Sequence, residues 1–297
     1  MRPTAVNVNM DLQTLLGQTS LSRFVLDYYQ RLPFSAGGAF QAAALADWGT
    51  LTALLGESGA DVFICRRNER YAGDLPRDAA AATRLVQEGY TLLVRHAERH
   101  DARLARLAAA FERDFASVVN VHLYCTPAGE FGFGWHYDAE EVFIVQTVGR
   151  KQYALRKNTV NPWPLEETLP ADMQFEREIM PLWRCDLQPG SWLYIPSGYW
   201  HRAEARELSI SLAIGLAPHS ALDVWDFLRR ELLQSLEWRQ RLPVLGRASP
   251  LTQDELRARY AQVFQALGSD LSHRLTDPGA VDKYLRSRGG ERTAAEL

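Results

Sequence analysis

Three side chains in the middle of the sequence combine a residue type and a spacing that suit metal binding. His136 and Asp138 form a His-x-Asp pair, and on an extended strand such side chains project to the same face. His201 ends a segment of the form G-x5-P-x-G-x2-H, which predicts a glycine turn, an apolar strand, a second turn and then the histidine. Two histidines and one carboxylate on a barrel form the facial triad that holds non-haem Fe(II) and leaves coordination positions open. A lone His-x-Asp pair is more often a surface or core feature, so the prediction of an iron site depends on both elements together.

The stretch that carries these residues, 119–218, is rich in short β-forming runs. The predicted strands are Val118–Tyr124, Val142–Val148, Gln152–Leu155, Trp192–Ile195 and Leu208–Ile214. Gly149-Arg150 lies between the second and third runs and predicts a hairpin turn. Many short strands with Gly and Pro turns favour a barrel or a sandwich.

Helical patterns dominate on both sides of this stretch. Residues 1–118 are predicted to be α-rich, with Asp101 as the N-cap of an amphipathic helix. Residues 219–297 are predicted to be helical again, with capping patterns that begin at Ser220 and Thr252. The 156–188 stretch is predicted to be a functional loop because of its length. Its acidic residues are Glu166, Glu167, Asp172, Glu176 and Glu178.

Composition excludes several classes of protein. The chain has 297 residues, of which 46% are hydrophobic, so it can build a substantial core. A net charge of −3 without a basic run gives no sign of nucleic-acid or membrane binding. Three widely spaced cysteines disfavour a disulfide framework. With neither a signal-like segment nor a long apolar stretch, we expect a cytoplasmic protein.

The two motifs resemble those of a known family. G-x5-P-x-G-x2-H is similar to the second motif of the cupins, and His136–Leu155 resembles the corresponding stretch of the Jumonji-C oxygenases, especially their cupin-4, ribosomal-oxygenase-like branch. The similarity is strong over 119–218 and weaker around Asp27–Pro33. It implies a double-stranded β-helix as the core, iron as the metal, and 2-oxoglutarate and O₂ as co-substrates.

The resemblance also implies roles for residues beyond the metal ligands. Lys151 stands fifteen positions after the first ligand, where the family places the cation that binds the far carboxylate of 2-oxoglutarate; the alternative is a surface lysine beside a turn. Tyr124 matches a co-substrate-binding tyrosine, whereas His122 replaces the usual asparagine of the same strand. Ser211, with Ser209 as the alternative, could add a hydroxyl to that carboxylate site.

The activity implied is hydroxylation of an unactivated C–H bond, with the side chain of a protein or peptide as the substrate. Two alternatives stay open: hydroxylation of a free amino acid or other small molecule at the same iron site, and a non-catalytic cupin that binds a metal or metabolite. The family also implies that the C-terminal helices could form a homodimerisation element and a small end domain; the alternative is a helical cap on the barrel. Demethylation, instead of hydroxylation, would need only a methylated substrate.

Overall fold

The computed structural model describes residues 12–38, 43–166, 169, 175 and 178–294. They divide into two compact units, one ending at Pro218 and one beginning at His219. All strands of the described residues belong to the first unit. They are β1 (Phe34–Ala36), β2 (Asp61–Arg66), β3 (Glu69–Arg70), β4 (Thr91–Arg95), β5 (Val119–Thr126), β6 (Glu141–Val148), β7 (Lys151–Arg156), β8 (Trp183–Leu187), β9 (Trp192–Ile195), β10 (Trp200–Ala205) and β11 (Ser209–Leu216).

The strands form two antiparallel sheets. The larger sheet has the order β1-β9-β6-β11-β5-β4-β2-β3, and the smaller sheet has the order β10-β7-β8. A buried apolar cluster joins the two sheets and includes Ile144 from β6, Leu155 from β7 and Ala213 from β11. All eight residues of β11 are buried, as expected for a strand that is covered on both faces. The prediction of a mainly β core is confirmed.

Helices cover the outer face of the larger sheet. The first unit contains α1 (Leu12–Leu16), α2 (Leu21–Asp27), α3 (Trp48–Gly56), α4 (Ala79–Gln87) and α5 (Ala102–Phe115). The predicted N-cap of α5 is confirmed, because the Asp101 side chain accepts from the backbone N–H of Arg103 and Leu104. Phe111 of α5 packs edge-on against Phe143 of β6, with ring centroids 5.1 Å apart. Burial of such aromatic surface fixes the helix against the sheet.

The N-terminal region also contributes strands. β2 pairs with β4, and β4 pairs with β5 through Leu92 opposite Cys125. The larger sheet therefore extends well before residue 119, and the α-rich segment 1–118 supplies four strands besides its helices. The short apolar runs around Phe63 and Leu92 are the signal for two of these strands.

The hairpin predicted at Gly149-Arg150 is wrong. β6 pairs with β11 and β9 of the larger sheet, whereas β7 pairs with β10 and β8 of the smaller sheet. The turn instead carries the chain from one sheet to the other. Gly149 has φ +65°, and a Cβ at this position would collide with the carbonyl oxygen of Leu208, so only glycine fits the crossing.

The predicted 156–188 loop is shorter than expected, because its last residues form the edge strand β8. Exposed Arg184 and Asp186 on this strand interrupt the apolar alternation that would have predicted it. Glu178 accepts four hydrogen bonds inside the loop, including one from the Thr159 backbone N–H. Glu167, Asp172 and Glu176 lie outside the described residues.

The second unit is helical where it is described. It consists of α6 (Ala221–Leu232), α7 (Gln253–Thr276) and α8 (Ala280–Ala294). The capping boxes predicted at Ser220 and Thr252 are both present. Phe227 of α6 packs edge-on against Tyr284 of α8. Within the described part of the chain, helices that combine the length and the apolar character needed to cross a membrane are absent.

Candidate metal centre

The structure brings His136, Asp138 and His201 together. One donor atom from each lies within 4.8 Å of the other two. His136 does not belong to a regular strand; it forms a single antiparallel bridge to His201, the second residue of β10. The backbone N–H of each histidine donates to the other's carbonyl oxygen, over 3.1 and 2.8 Å. This bridge holds the two ring centroids 4.2 Å apart.

Backbone carbonyls orient both imidazoles. Nδ1 of His136 lies 2.8 Å from the Gly134 carbonyl oxygen, and Nδ1 of His201 lies 3.0 Å from that of Tyr199. A hydrogen bond at Nδ1 fixes the tautomer and leaves Nε2 as the free donor atom, as in most histidine metal sites. The backbone at Asp138 is held in place as well, since the Gly198 N–H donates to the Asp138 carbonyl oxygen.

The chemistry of this donor set fits a divalent first-row metal. His201 Nε2 lies 3.4 Å from an Asp138 carboxylate oxygen. Burial, followed by the neighbouring His136 ring, lowers the pKa of His201 well below its usual value, so its imidazole is neutral and able to ligate. Two imidazoles and one carboxylate on one side of a cavity match the facial triad of non-haem iron.

The triad faces a cleft between the two sheets. The cleft has an empty volume of about 580 Å³, including its opening to solvent. Val142 and Ile144 from β6 and Ala213 from β11 give it an apolar wall. Its polar lining residues besides the triad are Thr91, Tyr124, Thr126, Lys151 and Tyr153.

Lys151 is the cation of this cleft. Its side chain is buried, and its Nζ donates to Thr126 Oγ1 over 3.3 Å and lies 5.5 Å from the centroid of the Tyr124 ring. Among the described residues, carboxylates within 4.0 Å of Nζ are absent. Burial therefore lowers the pKa of Lys151 to about 8. A buried ammonium without a counter-ion is costly, so the site is suited to an anionic ligand.

The other predicted co-substrate residues occupy different positions. Tyr124 lies on the cleft wall, and burial raises its pKa. The Nδ1 of His122 accepts from the His96 backbone N–H, and His122 is outside the set of lining residues. Ser211 is buried and hydrogen-bonds with the Tyr153 side chain, so it contacts the cleft through that residue.

Sequence reasoning missed Thr126 and Tyr153. Each lies two residues from a predicted site residue, Tyr124 and Lys151 respectively, on the same strand. Strand alternation places such residues on the same face, so extending the pattern by one repeat would have identified both.

A second polar pair, Asn120 of β5 and Glu140 just before β6, lies outside the set of residues that line the cleft. The Asn120 amide donates to one carboxylate oxygen of Glu140. Burial raises the pKa of Glu140 to about 7; the hydrogen bond from Asn120 opposes the rise, while the carboxylates of Asp138 and Glu166 add to it. The sequence motifs give no signal for this pair, because Glu140 and Asn120 are twenty residues apart.

Comparison with known proteins identifies the domain that holds the site. The family model described as JmjC domain matches residues 92–224, which include β5 to β11, all of β4 except Thr91, and all three members of the triad. Residues 92–224 are therefore similar to JmjC domains. The Jumonji-C resemblance predicted from the motifs is thereby confirmed.

Curated proteins that are similar to this chain include ribosomal oxygenases. It is 27% identical to human ribosomal oxygenase 1 over 210 residues, which cover 65% of this chain and 32% of that protein. It is 30% identical to bovine ribosomal oxygenase 2 over 191 residues, 62% of this chain and 39% of that protein. The chain thus spans about a third of the length of these relatives.

The fold of this chain is also similar to that of a solved ribosomal oxygenase. YcfD of Escherichia coli, in complex with cobalt and 2-oxoglutarate, superposes with a TM-score of 0.57 at 18% identity. The match covers 90% of this chain and 70% of YcfD. The predicted cupin-like double-stranded β-helix with helical flanks is confirmed.

Proposed function

We propose that this chain is an Fe(II)- and 2-oxoglutarate-dependent dioxygenase that hydroxylates an unactivated C–H bond on a protein or peptide side chain. The observation that carries the proposal is a His-Asp-His triad and an unpaired buried lysine in one cleft of a JmjC domain. A metal triad alone also suits a metal-binding cupin. The buried ammonium adds a demand for an anion that such a cupin would not need.

His136, Asp138 and His201 are the proposed metal ligands. Bound Fe(II), with 2-oxoglutarate and O₂ as co-substrates, supplies the oxidising chemistry for C–H hydroxylation. Lys151 pairs with the far carboxylate of 2-oxoglutarate, and the hydroxyl of Thr126 lies beside the same ammonium. Tyr124 and Tyr153 enclose this end of the cleft and exclude water, which strengthens the ion pair.

The remaining parts of the proposal come from the relatives and from the cysteines. The names of the curated relatives favour a ribosomal protein as the substrate. Three free cysteines suit a reducing compartment, so we place the enzyme in the cytoplasm. We also propose that the helical C-terminal unit, in which Leu222 and Trp225 are exposed, serves in homodimerisation.

Anaerobic titration tests the metal and co-substrate sites together. Purified protein with Fe(II) should develop a weak metal-to-ligand charge-transfer band when 2-oxoglutarate is added. The band should be lost in His136→Ala and retained in His273→Ala, which changes an exposed histidine of α7. A protein that binds the metal but gives no band with 2-oxoglutarate would support the non-catalytic cupin.

Mass spectrometry then identifies the class of substrate. Proteins from cells with and without the gene are searched for side chains that gain the mass of one oxygen atom only when the gene is present. A difference in ribosomal proteins supports the proposal. A difference confined to free amino acids or other metabolites would overturn the protein substrate and favour the small-molecule hydroxylase.

A further inference from the structure

We propose that Asn68, in the turn between β2 and β3, is a positioning residue for the metal ligand His136. The proposal rests on the proposed function, because it takes His136 as a ligand of the metal. It adds a residue outside the 92–224 segment that is similar to JmjC domains, and it gives the β2–β3 hairpin a role in the geometry of the metal centre.

A two-residue turn joins β2 to β3. Arg66 pairs with Glu69 across the hairpin, so the turn consists of Arg67 and Asn68. Their φ angles are +50° and +73°, as in the type I′ turns that are favoured in two-residue hairpins. Asparagine tolerates this left-handed conformation better than most residues. Glycine would fit the same backbone, so the turn alone does not require the asparagine side chain.

The turn bonds to the segment that leads to the first two metal ligands. The Gly134 N–H donates to Oδ1 of Asn68 over 2.6 Å. The backbone of the turn adds two bonds: the Arg67 N–H donates to the Phe131 carbonyl oxygen over 3.0 Å, and the Asn68 N–H donates to the Gly132 carbonyl oxygen over 2.8 Å. The hairpin thus holds this segment by three hydrogen bonds, of which one depends on a side chain.

Gly134 carries this constraint to His136. Its carbonyl oxygen lies 2.8 Å from Nδ1 of His136, and this contact orients the imidazole. Glycine has more backbone freedom than any other residue, so the direction of its carbonyl depends on contacts with other parts of the chain. The bond from the Gly134 N–H to Asn68 is such a contact. Without it the Gly134 carbonyl is free to turn away from Nδ1, and the His136 ring is held less firmly.

The close contact also accounts for glycine at position 134. A Cβ there would lie 2.9 Å from Nδ2 of Asn68 and 3.3 Å from its Oδ1. The φ angle of Gly134 lies outside the left-handed region, so its backbone conformation is open to other residues. The reason for glycine is therefore the approach of the Asn68 amide, and an alanine at this position would displace that amide.

Further contacts hold the hairpin against the same segment. The buried carboxylate of Glu130 accepts from Nη2 of Arg66 over 2.8 Å and from Nε of Arg67 over 2.9 Å. Phe63 of β2 stacks on Phe133, with ring centroids 5.9 Å apart. These contacts do not involve the asparagine amide, so they remain when the amide is removed. A substitution of the asparagine therefore tests one hydrogen bond and leaves the rest of the hairpin in place.

Binding of Co(II) to the whole chain tests this role, because the visible d–d absorption of Co(II) responds to the arrangement of its ligands. Asn68→Gly keeps a residue that accepts positive φ and removes only the side-chain acceptor. We expect its Co(II) bands to shift and its Co(II) affinity, measured by isothermal titration, to fall about three- to tenfold, the range of one hydrogen bond. Asn68→Asp keeps an oxygen acceptor at the same position, so its bands and its affinity should match those of the unmodified protein.

A second variant breaks the same contact from the other side. Gly134→Ala displaces the Asn68 amide and should shift the Co(II) bands as Asn68→Gly does, whereas Glu69→Gln, which changes an exposed carboxylate of the hairpin, should leave them unchanged. Thermal melting of metal-free protein separates positioning from stability: the melting temperature of Asn68→Gly should stay close to that of the unmodified protein, since glycine suits the turn. Unchanged bands and affinity in both Asn68→Gly and Gly134→Ala would overturn the proposal. So would a loss of affinity in Asn68→Asp as large as that in Asn68→Gly.

The same titrations separate this proposal from the proposed function. Co(II)-loaded protein is titrated with 2-oxoglutarate, and His136→Ala shows whether the Co(II) bands come from the triad. If the bands depend on His136 and on Asn68 but 2-oxoglutarate does not bind, the oxygenase proposal fails and the positioning role stands. If 2-oxoglutarate binds while the variants at Asn68 and Gly134 behave as the unmodified protein does, the positioning role fails alone.

Discussion

The triad end and the Lys151 end of the cleft have opposite requirements. At one end, His136, Asp138 and His201 offer three donor atoms within 4.8 Å of one another, which suits a metal cation. At the other end, Lys151 is a buried cation that donates a hydrogen bond to the Thr126 hydroxyl, which suits an anion. The apolar residues Val142 and Ala213 lie in the same cleft. The ligands that complete the two ends must therefore differ in charge.

This difference gives the cleft a direction. A carboxylate is stabilised beside the Lys151 ammonium, and a metal cation is stabilised by the Asp138 carboxylate and the two imidazoles. Both interactions take place partly out of water, where charge pairs are stronger than at an exposed surface. Electrostatic interactions thus favour one arrangement of the two ligands in the cleft, and no conformational change is needed to maintain it.

Removal of a triad ligand should have the largest effect, because it acts on both halves of the cleft. His201→Ala leaves two ligands, and we expect metal affinity to fall by more than about 100-fold. Loss of a residue that only supports a ligand lowers metal affinity by up to about 100-fold, so loss of a ligand should exceed this. Isothermal titration with Mn(II) measures the change. His273→Ala is the control, and an affinity within threefold of the unmodified protein in His201→Ala would remove His201 from the site.

Lys151→Met should have the next largest effect, and it should act on one end only. Loss of one partner of a buried ion pair costs about 2–5 kcal/mol, or roughly 30-fold or more in the Kd of 2-oxoglutarate. Metal affinity should be unchanged. Titration of 2-oxoglutarate into Mn(II)-loaded protein measures both quantities, with Lys157→Met, an exposed lysine, as the matched control.

The same substitution should have the opposite effect on ligand-free protein. Replacing a buried unpaired ammonium with an apolar side chain of similar length removes a desolvation cost, so the free energy of unfolding should rise. A higher melting temperature combined with weaker 2-oxoglutarate binding is the signature of a functional cation. A lower melting temperature would show that Lys151 stabilises the fold and would weaken its assignment to the co-substrate.

Affinity for 2-oxoglutarate should depend on pH through Lys151. Burial lowers the pKa of Lys151 to about 8, so the ammonium is charged below pH 8 and increasingly neutral above it. Only the charged form pairs with a carboxylate, and affinity should therefore be constant near pH 7 and fall by up to about tenfold per unit above pH 8. Titrations from pH 7 to pH 9.5 measure this change.

Stability of the ligand-free protein should change in the opposite sense over this window. Between pH 8 and the usual lysine pKa, the unfolded chain holds a proton that the folded chain has lost. The contribution of Lys151 to the free energy of unfolding therefore rises with pH. Lys151→Met should abolish this contribution, and identical pH profiles for the two proteins would contradict the lowered pKa.

The sequence motifs single out three residues that the structure brings together, whereas no motif predicts the contact between Asn120 and Glu140. His136 and Asp138 form a His-x-Asp pair, and His201 ends a motif whose spacing indicates a turn–strand–turn geometry. Local patterns were therefore sufficient to identify all three residues as candidates. Lys151 was predicted from its position fifteen residues after the first ligand, where the resembling family places a co-substrate-binding cation. Asn120, Glu140 and Gly215 meet only because β5, β11 and the start of β6 are neighbours in the sheet, and a single sequence carries no signal for such pairing.

The same reason explains the errors in the fold. Capping at Asp101, Ser220 and Thr252 depends on residues within three positions, and each prediction is confirmed. The Gly149 turn was predicted correctly as a turn but assigned to the wrong pairing, because a tight turn most often joins strands of one sheet. The choice between one sheet and two depends on contacts with β10 and β11, more than fifty residues away.

Thr126→Val should have the smallest effect and should sharpen the contrast between the two ends. Its hydroxyl is the hydrogen-bond acceptor of the Lys151 ammonium, and it is buried with the lysine. A hydrogen bond to a charged group contributes about 1.5–3 kcal/mol, so ligand-free protein should lose part of this stability. When 2-oxoglutarate is bound, its carboxylate satisfies the ammonium, and the loss should be smaller. The difference between the melting temperatures of Thr126→Val and the unmodified protein should therefore shrink as 2-oxoglutarate is added. Thr126→Ser keeps the hydroxyl, so its melting temperature should follow that of the unmodified protein at every concentration. A difference that stays constant would mean that Thr126 supports the fold and not the cation.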